Sequence, residues 1–194
     1  LATNTGLPDA RGVPEDKVTV LAEMLAATPV LSPLKMTEKL RPKPEDENTG
    51  WQKQVGAASK EKEAPGFMYW VKFCDGYPDF DPGAIMAMWL KDCSAEEERG
   101  YAAPFPSEEY MQGAREFPSL VPILPDNPGV AGNRKAWEIL RTFDKPFLTA
   151  YSEEDAGVSD ILFQQEIPGA SGQNHVVIKN ARHYSQDDVG EELA

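Results

Sequence analysis

Cysteine and histidine are scarce in this sequence, with two of each among 194 residues. Two cysteines, Cys74 and Cys93, are too few for a disulfide scaffold or a cysteine-rich zinc site. They are expected as unpaired thiols in a reducing cell interior, which makes the expected compartment the cytoplasm. Positive charge is also short. Lys and Arg number 19 against 32 Asp and Glu, a formal net charge of −13, and this repels nucleic acid and anionic membrane surfaces alike. No run approaches the roughly 20 apolar residues that span a bilayer. There is no phosphate-binding glycine loop, metal-ligand cluster or basic patch, so no cofactor, metal or nucleic-acid partner is expected. Neither Gly-x-Ser-x-Gly nor Gly-x-Asp-x-Gly occurs, so no nucleophile is visible. The chain begins Leu-Ala-Thr-Asn without Met and stops at Glu-Glu-Leu-Ala, and truncation at both ends is the expectation.

Hydrophobic residues make up 41% of the chain, with four Trp, enough for a folded core. Leu1 to Thr3 reads as the end of a strand and Asn4 to Pro8 as a turn. From Pro14 to about Thr28 apolar residues recur at helical spacing. Ser32 to Pro65 is a mixed-charge, Pro-containing stretch with Trp51 and Val55 among its few large hydrophobes; it reads as a surface excursion or insertion. Gly66 onward is apolar and aromatic. Asp81-Pro82 starts a helix, and Ser94-Ala-Glu-Glu97 is a capping box for another. Helices are expected over Ser107 to Arg115 and Asn133 to Phe143. The pattern then changes to strand (Lys145 to Tyr151), helix (Asp160 to Ile167), strand (His175 to Ile178) and helix (from Gln186), which implies a parallel sheet. The expected organisation is a core-strand end at 1–8, a helical cap over 9–143 with the insertion at about 32–65, and an α/β core segment over 144–194.

In parallel α/β sheets, sites lie just beyond the C-terminal ends of strands. Ser-Glu-Glu-Asp155 follows one expected strand and Asn-Ala-Arg-His183 follows the other, so a carboxylate on one loop can face an imidazole on the next. A His held in one tautomer by a carboxylate can take a proton from water or a nucleophile. Acid before His is also the order of α/β-hydrolase triads. His175, at a strand start, is the weaker candidate.

Several motifs then fall into one order: Gly-Tyr-Ala-Ala-Pro-Phe-Pro106, Tyr110-Met-Gln-Gly-Ala-Arg115, Phe117-Pro118, Phe143-Asp-Lys-Pro-Phe-Leu-Thr-Ala150 and Ile167-Pro-Gly-Ala170. Together they resemble the haloalkane dehalogenases, over about 1–12 and 66–194. The resemblance implies an α/β-hydrolase fold with a helical cap, its N-terminal strands and nucleophile elbow missing from this chain. It also implies hydrolysis of a small halogenated hydrocarbon by water to an alcohol, with release of halide. An upstream Asp would form an alkyl-enzyme ester. The family's acid after its seventh strand matches Asp155 and its base matches His183. Its Phe-x-x-Trp matches Phe67 to Trp70, which implies Trp70 as an indole donor to the halide and Phe67 as a wall of the substrate pocket. Trp51, Trp89 and Trp137 read as structural.

The chain departs from the family in three places. Ala156 stands where many relatives carry Pro, the loop before Asp160 is short, and Arg182 takes a place usually held by Gly. With the nucleophile and second halide donor upstream of Leu1, the 194 residues alone are expected not to turn over haloalkanes. Two other readings remain beside this one. An epoxide hydrolase would need cap tyrosines, for which Tyr69 and Tyr77 are available. A non-catalytic homologue would keep the fold for binding.

Overall fold

The computed structural model describes residues 1–11, 13–40, 64–155 and 161–194. Most of the expected insertion, with Trp51 and Val55, lies outside them, as does Ala156. In chain order the regular elements are β1 (Ala2–Thr3), α1 (Val18–Ala27), α2 (Pro33–Leu40), α3 (Gly66–Gly76), α4 (Pro82–Trp89), α5 (Ala95–Ala102), α6 (Glu108–Glu116), α7 (Val130–Leu140), β2 (Thr149–Ser152), α8 (Ile161–Glu166), β3 (Val176–Ile178), α9 (Ser185–Asp188) and α10 (Gly190–Leu193). The molecule mixes helices with a small parallel sheet in the order β1-β2-β3. Ala2 pairs with Thr149, and Ala150 pairs with Val176. Among the described residues no helix is long and apolar enough to cross a membrane.

The chain forms two compact units. The first takes in residues 1–6, 79–113 and 140–194 and holds the sheet. Its sheet-side core gathers Ala150, Ile178 and Ala181, with Val189 against them. The local signals read from sequence have visible causes here. The Asp81 carboxylate accepts the N–H groups of Gly83 and Ala84 at the start of α4. Ser94 and Glu97 exchange side-chain and backbone bonds at the start of α5. Gly83 allows α4 to approach α5 closely: a Cβ there would meet the Glu98 carbonyl oxygen at 2.5 Å. In Ile167-Pro-Gly-Ala170 a Cβ on Gly169 would meet the Lys145 carbonyl oxygen at 1.8 Å. Only glycine admits that approach, and it lets the Phe147 N–H donate to the Gly169 carbonyl at 2.9 Å. The backbone of Phe147 is therefore engaged with this turn, and the strand itself starts two residues later, at Thr149.

The second unit takes in residues 7–78 and 114–139. Its core packs Val13, Leu21, Met68, Ile123 and Leu124, bordered by Met24, Leu25 and Phe67. Arg115 donates from Nη1 to the carbonyls of Cys74 (2.9 Å) and Tyr77 (3.1 Å). It thereby satisfies acceptors that the end of α3 leaves open. Trp137 is fully buried, and its indole N–H donates to the Leu7 carbonyl at 2.8 Å. Within the expected surface excursion or insertion, Pro33–Leu40 forms α2, with Met36 fully buried. Its mixed charges cover the outer faces of a short helix that has one apolar anchor, a pattern that reads as a loop when periodicity is weak.

Both thiols are free. Burial pushes the Cys74 thiol up to about 12, against a smaller opposing pull from Arg115. Partial desolvation and then the carboxylates of Glu97, Glu98 and Asp187 raise the thiol of Cys93. A thiolate is the reactive form, so a disulfide reagent at pH 8 is expected to label one thiol per native chain, at Cys93, and more slowly than a free thiol. Denaturation should expose the second. Rapid labelling of two thiols in the native chain would contradict this packing.

Candidate active site

Two carboxyl-terminal strand ends lie side by side in the sheet-bearing unit. Beyond β2 the chain turns through Ser152 to Asp155, and beyond β3 it turns through Asn180, which takes a left-handed φ of 56°. Ala181 is fully buried and anchors that second turn. His183 is thereby aimed toward Asp155: Asp155 Oδ2 lies 2.9 Å from His183 Nδ1. The Asp155 side chain is 1% exposed and that of His183 32% exposed. A covered carboxylate behind a partly open imidazole leaves Nε2 as the nitrogen that can meet water or substrate. With Asp155 ionised, Nδ1 carries the proton and Nε2 presents its lone pair.

The surroundings sharpen that geometry. The Trp89 ring lies 5.8 Å from the imidazole, tilted by 57°. The Tyr184 ring meets the imidazole edge-on at 5.0 Å. Burial, and after it the charge of Asp155, push the Tyr184 hydroxyl above its ordinary value. The Arg182 guanidinium donates from Nη1 to the Leu90 carbonyl at 2.9 Å and places Nε 3.8 Å from Glu154. Glu154 also receives Lys91 Nζ at 2.5 Å, and this bond holds its carboxyl below the usual range. Asp188 accepts the backbone N–H groups of Lys91 and Arg182, each at 2.7 Å. The Arg182 side chain and its N–H are thus both engaged along the loop that carries His183.

The other histidine has a different setting. The Thr149 N–H donates to His175 Nδ1 at 3.1 Å, which assigns the ring proton to Nε2, and Nε2 lies 2.9 Å from the Ala170 carbonyl. Both nitrogens are occupied by backbone, so His175 ties β2 to the turn after α8.

Phe67 and Trp70 lie one turn apart on α3, in the second unit. Phe67 packs against that unit's core, and Trp70, half-buried, stacks on Phe73 with ring centroids 5.8 Å apart. Tyr69 is buried beneath the Lys39 ammonium and Tyr77 stacks on Phe73, so both tyrosine rings are engaged in packing within this unit. No carboxylate occupies Asn4 to Pro8. The next acid, Asp9, is buried and paired to Arg11 at 2.8 Å. Trp89 and Asp188 escaped the sequence reading. Trp89 is distant in sequence from His183, and Asp188, six residues beyond Arg182, also holds the distant Lys91 N–H; no local spacing connects Trp89 to His183. Among the described residues no three His, Cys, Asp or Glu come together as a metal site.

No family model matches the chain. Curated proteins named haloalkane dehalogenases do, three of them as follows. The protein from Mycobacterium marinum is 44% identical over 131 residues, 66% of this chain and 44% of that protein. The one from Psychrobacter cryohalolentis is 41% identical over 132 residues, again 66% and 44%. Haloalkane dehalogenase 1 of Mycobacterium tuberculosis is 52% identical over 131 residues, 66% of this chain and 43% of that protein. The chain thus spans less than half the length of the curated relatives it matches.

Proposed function

We propose that the chain belongs with the haloalkane dehalogenases and that the protein it represents hydrolyses carbon–halogen bonds in small halogenated hydrocarbons. The observation that carries this reading is the 2.9 Å contact between the covered Asp155 and the partly open His183, in a chain whose relatives bear that name. A carboxylate oxygen supplied from outside these residues attacks the halogen-bearing carbon, and halide leaves with the bonding pair. His183 Nε2 then removes a proton from water, whose oxygen adds to the ester carbonyl. The alcohol departs, the carboxylate is restored, and the proton taken by His183 passes to solvent. Asp155 holds the imidazole tautomer and stabilises the imidazolium formed in that step. Trp70 donates its indole N–H to the departing halide, a task that suits a donor-only group, and Phe67 lines the apolar pocket. In this reading the sheet-bearing segment is the C-terminal part of an α/β-hydrolase core, residues 9–143 form its cap, and the protein works in the cytoplasm.

Halide release from 1-bromobutane or 1,2-dibromoethane tests it. Protein expressed from the full reading frame should release halide and alcohol in equal amounts, and the 194 residues alone should release none. No release by the former would overturn the reading. Trp70→Phe should slow halide displacement about 10²-fold, the scale for loss of one donor to a developing anion. Unchanged kinetics and halide affinity would remove Trp70 from the site.

A further inference from the structure

The end of β1 reaches the loop that carries His183 through one side chain. Asn4 sits directly after β1 with φ of 37°, in the left-handed region that Asn tolerates better than most residues. Its Oδ1 accepts the Ser152 N–H at 2.8 Å, at the end of β2. Its Nδ2 lies 2.7 Å from Ser152 Oγ, 3.0 Å from the Arg182 carbonyl and 2.7 Å from the His183 carbonyl, so its two N–H groups are shared among three acceptors. One amide therefore joins the ends of two strands to the main chain of His183 itself. It makes these bonds across 148 to 179 positions of sequence.

We propose that Asn4 is a positioning residue for His183: its amide fixes the peptide units around His183 and so sets the direction in which the imidazole meets Asp155. This rests on the reading of His183 as the base. The chemistry asks for a group that both donates and accepts at one point, because the loop presents two carbonyls while the strand presents an N–H. An amide supplies two N–H donors and, on a separate atom, an acceptor oxygen; a hydroxyl has one donor hydrogen on the same atom that accepts, and an aliphatic group or an ionised carboxylate has no donor. The ring is oriented from two sides, by Asp155 through Nδ1 and by Asn4 through the backbone. Residues that orient a reactive imidazole through such outer bonds matter by geometry rather than by contact with substrate.

Ring-nitrogen NMR of the 194-residue chain reads the clamp directly. The chain holds two histidines, and His175 serves as the control for folding. In the unaltered chain His183 should show a protonated, exchange-protected Nδ1 and an unprotonated Nε2. Asn4→Gly keeps the left-handed backbone and removes the amide. It should cost the His183 Nδ1 proton its protection and average the two ring nitrogens, while the His175 signals stay in place. An unchanged His183 pattern in that variant overturns the proposal. Should both histidines lose their signals, the unit has unfolded, and exchange in the unaltered chain decides. There the Asn4 side-chain amide and the His183 Nδ1 proton should exchange at matching rates, and a freely exchanging amide beside a protected Nδ1 proton overturns the proposal. Neither measurement requires turnover. Absence of halide release by protein from the full reading frame, with the clamp intact, would count against the dehalogenase reading and leave this one standing.

Discussion

His183→Gln, introduced into protein from the full reading frame, is expected to release one halide per active site and then stop. The two chemical steps make different demands. Displacement of halide needs a carboxylate nucleophile and donors to the departing anion; it needs no base. Hydrolysis of the ester needs a lone pair near the attacking water, and in this structure Nε2 is the nitrogen left open once Nδ1 faces Asp155. Glutamine has similar reach, but its amide is not a base at neutral pH. Loss of general-base assistance lowers such a step by about 10²–10⁴-fold. The ester should therefore accumulate, and intact-protein mass should rise by one alkyl group per chain. Steady turnover in the variant at the unaltered rate, with no adduct, would remove His183 from the reaction. Release of no halide at all would place His183 in the first step instead.

The elements that follow from short-range chemistry were the legible ones. The Asp81 cap, the Ser94–Glu97 box and the order of strand and helix after Thr149 depend on neighbours within a few residues, and the structure has them in place. The Asp155 and His183 loops were readable for the same reason, since each directly follows a strand of a parallel sheet. What escaped depends on distant partners. Helix α2 has one fully buried residue, Met36, too little to mark a period among Lys, Glu and Thr. Phe147 lies in an apolar run that reads as strand, yet its N–H goes to Gly169, a partner chosen by the turn after α8. Trp89 closes an apolar helix and by itself reads as packing, but its ring stands beside the imidazole. Asn4 reads as a turn residue, and only the folded sheet brings it to His183. The chain also divides into its compact units across α6 and α7, so that 79–113 groups with the sheet. That division depends on which surfaces meet, and the pattern along the sequence does not record it.

Asp155→Asn should give the second large effect and one measurement that separates charge from shape. The substitution keeps volume, so a side chain that is 1% exposed can be replaced without opening a cavity. In the proposed reaction it removes the negative charge that would hold the proton on His183 Nδ1 and stabilise the imidazolium. An amide at this place can present its NH₂ to Nδ1 and favour the other tautomer, which turns an N–H rather than a lone pair toward water. Turnover is expected to fall about 10³–10⁴-fold, with halide displacement retained and the ester again accumulating. Tyr184 reports the charge independently. Its hydroxyl is raised first by burial and then by the Asp155 carboxylate, so removing that charge should move its ionisation partway back toward the ordinary tyrosine value while burial holds the remainder. Ultraviolet titration of the phenolate reads this shift. A variant that keeps full turnover would mean that another group orients His183. Lost turnover with an unmoved Tyr184 ionisation would trace the defect to packing at the loop rather than to the missing charge.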